Sequence, residues 1–385
     1  MKNMLLASTA IVAFAGAAAA DGHIGVSFSG SAELGYNDTQ LTDKETAPAD
    51  LAGNTMSDNF GFYSDLDITA NLAAELDNGL TAAASINLDD FVSSAGSNSG
   101  KDYELSLTSE TAGLYYGDTN FAAQNMWVSA GDMESDGFSE ADGEEALRGE
   151  ATFGAVTTQV SYVLANNAGM RNAANDLNQL SLGMSADFGN VNVVAAYQEA
   201  SGEAAGFYNA NAPQGTAASA DNGDFSDAEI WGLSVGTTFG GADVRLAYAD
   251  NGTTDSTGIK VAYPIGPVTA TAYFVAESAG GDNFGLNLAY ANGPIAVTVD
   301  FQDDQGTEKW SIDGSYDVGN GIMVYAGVDD AGDDFYVAGS MDLGSGANLL
   351  VSFADDGDND EDDDDDEIGA NDYQVGTTVE VSFEF

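Results

Sequence analysis

Eight carboxylates fall between residues 118 and 145: Asp118, Asp132, Glu134, Asp136, Glu140, Asp142, Glu144 and Glu145. Set around a narrow water-filled passage, such a ring favours cations and excludes anions. Arg148 follows directly, and a cation facing that ring would add a transverse field that orients dipolar solutes. A second acidic run extends from Asp355 to Glu367, where Asp356, Asp358, Asp360 and Glu367 have the 1, 3, 5, 12 spacing of an EF-hand loop. Its sixth position is Glu361 rather than the glycine such a loop needs, and no flanking helices are apparent. Three readings stay open for this run: a specific calcium site, loosely bound Ca2+ or Mg2+, or a solvated acidic tract.

Catalysis finds little support. The chain has no Cys, and its one His, His23, lies close to the N-terminus. No serine sits in a G-x-S-x-G setting with a second His, and no Walker A or dinucleotide fingerprint opens a helix. The expectation is a non-enzyme with no cofactor beyond loosely held Ca2+. A net charge of −55 repels nucleic acid and draws cations.

The elements that would position these carboxylates are strands. Lys2, an apolar stretch from Met4 to Ala15 and Ala18-Ala19-Ala20 read as a cleavable signal peptide over 1–20. Residues 21–385 read as a single domain, an all-β transmembrane antiparallel barrel. Period-two alternation runs through Ile24 to Leu34, Leu66 to Leu72, Leu80 to Leu88 and Tyr373 to Phe385. Glu33, Asp67, Glu104, Arg245, Lys260, Asp300 and Glu380 share the polar parity of their strands, and aromatics such as Tyr36, Phe239, Tyr263 and Phe353 the apolar one. Lipid penalises a midplane Arg or Lys by roughly 2–4 kcal/mol, so the clean parity places lipid outside and water inside.

Nine short connections rich in Gly and Asn, from Asp77-Asn78-Gly79 to Gly344-Ser345-Gly346, alternate with long acidic ones such as 37–59, 118–146, 199–227 and 354–372. Gly and Asn tolerate the positive φ of tight hairpins. Nine turns imply about 20 strands. An open edge is not viable in hydrocarbon, so the first strand, near Val26, should meet the last, near Val381.

Three features together resemble the α-proteobacterial general diffusion porins. A cleavable leader precedes a Gly/Ser/Phe-rich strand; Leu114-Tyr115-Tyr116-Gly117-Asp118 leads into a long acidic loop; and Val379 to Phe385 ends the chain on an alternating strand with a C-terminal Phe. The resemblance implies a 16-strand barrel in the outer membrane, assembled as a homotrimer, its last strand read by the insertion machinery. It also implies that loop 118–146 constricts the pore against basic wall residues, for which Arg148, Arg245 and Lys260 are the candidates, Lys309 falling in a loop. The expected function is passive, weakly cation-selective diffusion of small hydrophilic solutes and ions. A structural barrel or adhesin with cation-binding loops is the alternative, and a secreted soluble calcium-binding β-protein a third.

Overall fold

In the computed structural model, residues 25–38, 61–88, 103–140, 145–165, 178–200, 226, 228–329, 332–357 and 367–385 are described. The expected signal peptide, Asp142, Glu144, Asp358 and Asp360 lie outside them. The alternating segments become strands, except that the expected last strand is split at Val375, Tyr373–Gln374 pairing apart from Gly376–Glu384. The first half of the chain forms β1 (Gly25–Asn37), β2 (Gly61–Glu75), β3 (Thr81–Asn87), β4 (Tyr103–Thr108), β5 (Ala112–Asp118), a short helix α1 (Ala122–Met126), β6 (Glu145–Phe153), β7 (Val156–Ala165), β8 (Asn178–Asp187), β9 (Val191–Gln198) and β10 (Ile230–Phe239). The second half forms β11 (Ala242–Asp250), β12 (Asp255–Ile265), β13 (Val268–Glu277), β14 (Asn283–Asn292), β15 (Ile295–Asp304), β16 (Thr307–Gly319), β17 (Ile322–Asp329), β18 (Asp334–Gly344) and β19 (Ala347–Asp355). A small hairpin of β20 (Glu367–Ile368) and β21 (Tyr373–Gln374) then precedes β22 (Gly376–Glu384).

Each barrel strand pairs antiparallel with its neighbours in sequence, and β22 pairs with both β19 and β1, closing a ring of 20 strands. The turn count thus holds and the 16 strands implied by resemblance do not. Closure matches Val381 with Leu34 rather than Val26. Gly30 and Phe385 exchange both backbone hydrogen bonds at 3.0 Å, so the last residue is locked into the seam. Among the described residues every barrel strand thus has a hydrogen-bonded neighbour on both sides, as hydrocarbon demands.

The two faces separate by chemistry. Phe62 and Phe239 are 82% and 81% exposed on the outer surface, an arrangement that only an apolar surround stabilises. Aromatics form a belt at each end. One includes Phe153, Phe188, Phe239 and Tyr316; the other includes the edge-on pair Tyr36–Phe62 and the tilted pairs Trp231–Tyr248 and Phe335–Phe353, with ring centroids 5.4, 5.0 and 5.9 Å apart. All nine short turns lie at one rim, with both described chain ends. The opposite rim is uneven: connections are long from β1 to β10, but β11 to β18 are joined by turns as tight as Gln305-Gly306. Lys309 consequently lies in β16, not in a loop.

Candidate functional site

The segment between β5 and β6 lies against the inner wall of the barrel, and small inward-facing residues make room for it. Gly183 (β8) sits under Ala122 O and Met126, Gly232 (β10) under Trp127, and Gly258 (β12) under Ala130 O, each too close for a Cβ. Wall hydroxyls and amides satisfy the loop's backbone. Ala122 N and Ala123 N donate to Ser161 and Ser181 Oγ at 2.8 Å, Ser135 N to Ser256 Oγ at 2.9 Å, and Ser139 N to Gln198 Oε1 at 2.8 Å. Phe121, Phe138 and Met133 are buried beneath it. The loop is therefore a fixed shelf spanning β7 to β14, since each fully buried side chain of this size adds roughly 1.5–3 kcal/mol.

Its carboxylates divide by position. Glu134 and Glu140 are exposed to the lumen. Glu134 accepts from Asn283 Nδ2 at 3.0 Å, while Glu140 accepts from Gln124 on α1. Asp132, Glu134 and Asp304 of β15 can bring one oxygen each within 4.8 Å of one another, a donor set that suits a hard divalent cation. Asp132 is pushed above the usual carboxylate range, first by burial and then by Asp304 and Glu134. Asp136 turns into the loop instead, where Trp127 Nε1 donates to it at 2.7 Å. Burial raises its pKa to about 6 against that hydrogen bond.

A carboxyl whose folded value lies above its unfolded one favours the folded form when protonated. For Asp136 that contribution is complete below 3.8 and is lost as pH rises through about 6. Docking of the loop should thus tighten from about pH 7.5 to about pH 5, by roughly 1.4 kcal/mol. Slower protease cleavage within 121–139 at the lower pH, and no such change in Asp136→Asn, is the expected result.

Two of the expected constriction acids lie elsewhere. Asp118 and Glu145 are register partners at the loop's stems. Glu145 is 5% exposed and accepts from the phenols of Tyr116 at 2.7 Å and Tyr103 at 3.5 Å. Those tyrosines share the outward parity with Leu105 and Leu114, and the β6–β7 register shifts between Glu145 and Ala146. Glu145 is thereby withdrawn from the passage.

The cations do not oppose the carboxylates either. Arg148 is 8% exposed behind the loop's stem. Its Nε and Nη2 donate to Thr119 Oγ1 at 3.2 and 3.0 Å, Glu104 and Glu150 lie 4.0 and 3.9 Å away, and its guanidinium stacks 4.1 Å over the Tyr115 ring. It anchors the loop rather than facing it. Arg245 and Lys260 lie on the wall the loop leans on, beside its Val128 and Ser129. Inward positions of the remaining wall carry Glu33, Asp67, Asp313 and Glu380 against the single cation Lys309, so the passage is predominantly acidic on both sides.

A second inward element had no signal in the sequence. The β20–β21 hairpin packs Ile368 and Tyr373 onto inward-facing Tyr336, Ala338 and Ala354, with the Tyr336 and Tyr373 rings 4.8 Å apart. At Glu367 the backbone is extended and paired with Gln374, where the last ligand of an EF-hand would open a helix.

The model of the Gram-negative porin family matches residues 7–221 and 204–334. Similar solved structures include an engineered variant of the Rh. blastica porin, 15% identical, with a TM-score of 0.47, covering 75% of this chain and 98% of its own. A triple mutant of the Rhodopseudomonas blastica porin is 14% identical, with a TM-score of 0.43, covering 94% of this chain and 100% of its own. No curated protein matches the sequence. The family model spans well over half the chain, and the chain belongs to the Gram-negative porins.

Proposed function

We propose that this outer-membrane porin is a passive, cation-selective diffusion channel whose filter is the lumenal face of the loop carrying Asp132, Glu134 and Glu140. The observation that carries the reading is the docking of this loop on the inner wall, with its exposed carboxylates toward a passage whose described far wall carries more carboxylates than cations, Lys309 being its one basic residue. A carboxylate near a permeating ion attracts it by about 1 kcal/mol in a water-like dielectric, and salt in the passage screens this by roughly half, so three neutralised together remove about 1.4 kcal/mol. Export through the 1–20 leader, recognition of the terminal Phe385 strand by insertion machinery and assembly as a homotrimer belong to the same proposal.

The test is the reversal potential of the detergent-purified protein in a planar bilayer under a KCl gradient. Wild type should give large ohmic steps that favour K+. The triple variant Asp132→Asn, Glu134→Gln, Glu140→Gln should lower the cation-to-anion permeability ratio by about tenfold. An unchanged reversal potential would remove these residues from the filter. No conductance from a folded, heat-modifiable barrel would leave a structural or adhesive barrel as the better reading.

A further inference from the structure

Like charges directly opposite on neighbouring strands repel, yet Arg245 and Lys260 are register partners on β11 and β12, and both face inward. Arg245 lies flat on the wall because its neighbour across β10 is Gly236, where a Cβ would come within 2.7 Å of Nη2. Its Nη1 donates to Ser234 Oγ at 2.7 Å and its Nη2 reaches Asn192 Oδ1 at 3.4 Å. Those are neutral acceptors, and among the described residues no carboxylate lies within ion-pair distance of either cation. The Lys260 side chain makes no hydrogen bond among the described residues. Both line a cavity of about 420 Å³ flanked by Val128 and Ser129 of the loop and by Asp187 and Asp243. Each of these acids is held in place, Asp187 by Asn192 Nδ2 at 2.8 Å and Asp243 by Thr238 Oγ1 at 2.6 Å.

We propose that this cavity is a subsite for small zwitterions of the amino-acid class, their carboxylate on Arg245 and Lys260 and their ammonium on Asp187 or Asp243. Two adjacent cations without a carboxylate of their own form an anion receptor. A free anion, however, must pass an acidic passage in a chain of net charge −55, which repels it at long range. A solute that carries its own cation escapes that repulsion and finds a partner for each pole. The cavity falls within the size range of sites for small molecules. This inference rests on the channel reading, because it needs solutes to pass the loop.

The experiment follows K+ current through the reconstituted full-length protein as glycine is added, with acetate and methylammonium as single-charge controls. Glycine should produce saturable partial block, and the controls should not. Lys260→Gln, which breaks no hydrogen bond among the described residues, should raise the half-blocking concentration about tenfold, as should Asp187→Asn with Asp243→Asn. Equal block by acetate would overturn the zwitterion in favour of a simple anion. A conducting channel that glycine leaves untouched would overturn the subsite while the pore stands. A folded barrel that passes no K+ would fail the channel reading and the subsite with it.

Discussion

Replacing residues 121–139 by a short Gly/Ser linker should raise single-channel conductance severalfold and move selectivity toward that of the bare wall. A barrel of 20 strands exceeds the 16–18 at which porins already leave an aqueous channel, so its cross-section alone would not restrict small solutes. The shelf restricts it by occupying the inner face from β7 to β14. Removal exposes Ser161, Ser181, Ser256 and Gln198, now bonded to the loop's backbone. In the lumen these are free to take water instead, so the wall does not oppose the deletion. The strands themselves keep every ladder bond, and the variant should remain heat-modifiable on a gel. A folded variant with wild-type conductance would show that the passage narrows elsewhere. The β20–β21 hairpin is the next candidate, because its Tyr373 also stands on the inner wall.

The barrel was legible because lipid and water impose opposite demands on alternate residues, and turn chemistry then counted the strands. Gly79, Gly240 and Asn320, with φ of 78°, 63° and 56°, sit in three of the nine hairpins, where the sequence places Gly or Asn. That count prevailed over the strand number carried by resemblance. Register was harder to read. Alternation repeats every two residues, so many offsets between β1 and β22 satisfy it equally, and only the seam at Gly30 and Phe385 selects one.

The site was legible in part, for a related reason. A dense acidic loop is visible in a sequence; the direction each carboxylate takes is not. Glu145 was misplaced because it shares the odd, outward parity of Leu147 and Phe153 in β6, which a reading of acidic density alone overlooks. Asp136 turns from the passage because Trp127, nine positions earlier, offers an N–H inside the loop. Gly183, Gly232 and Gly258 read as weak strand residues, although each is the floor of the shelf. Their recurrence on inward parity in β8, β10 and β12 was the available signal that something lies across them. The β20–β21 hairpin left no such trace, since two residues per strand cannot show a period.

Arg148→Met should loosen the shelf at its entry without unfolding the barrel. The guanidinium gives two hydrogen bonds to Thr119, the first residue beyond β5, and lies between Glu104 and Glu150 over the Tyr115 ring. Methionine fills much of the volume but removes the charge, leaving two carboxylates side by side with no cation. Breaking a fully buried pair costs about 3–5 kcal/mol. Here the glutamates are 32% and 30% exposed and can recruit water or counterions, so about 2 kcal/mol is the appropriate scale. Glu150 also keeps its hydrogen bond from Gln159 Nε2 at 2.6 Å, which confines the damage to the loop side of β6. When opening is fast relative to cleavage, proteolysis follows the open population, so cutting within 121–139 should accelerate about 30-fold. Open-channel noise should rise in parallel while the heat-modified mobility of the barrel stays the same. The triple variant Arg148→Met, Glu104→Gln, Glu150→Gln separates charge from packing. Cleavage that falls back toward wild type assigns the effect to the stranded carboxylates; cleavage that stays high assigns it to the lost Thr119 anchor. Wild-type cleavage and noise in Arg148→Met alone would mean that the buried arginine does not hold the loop, and that the glycine floor and its serine bonds suffice.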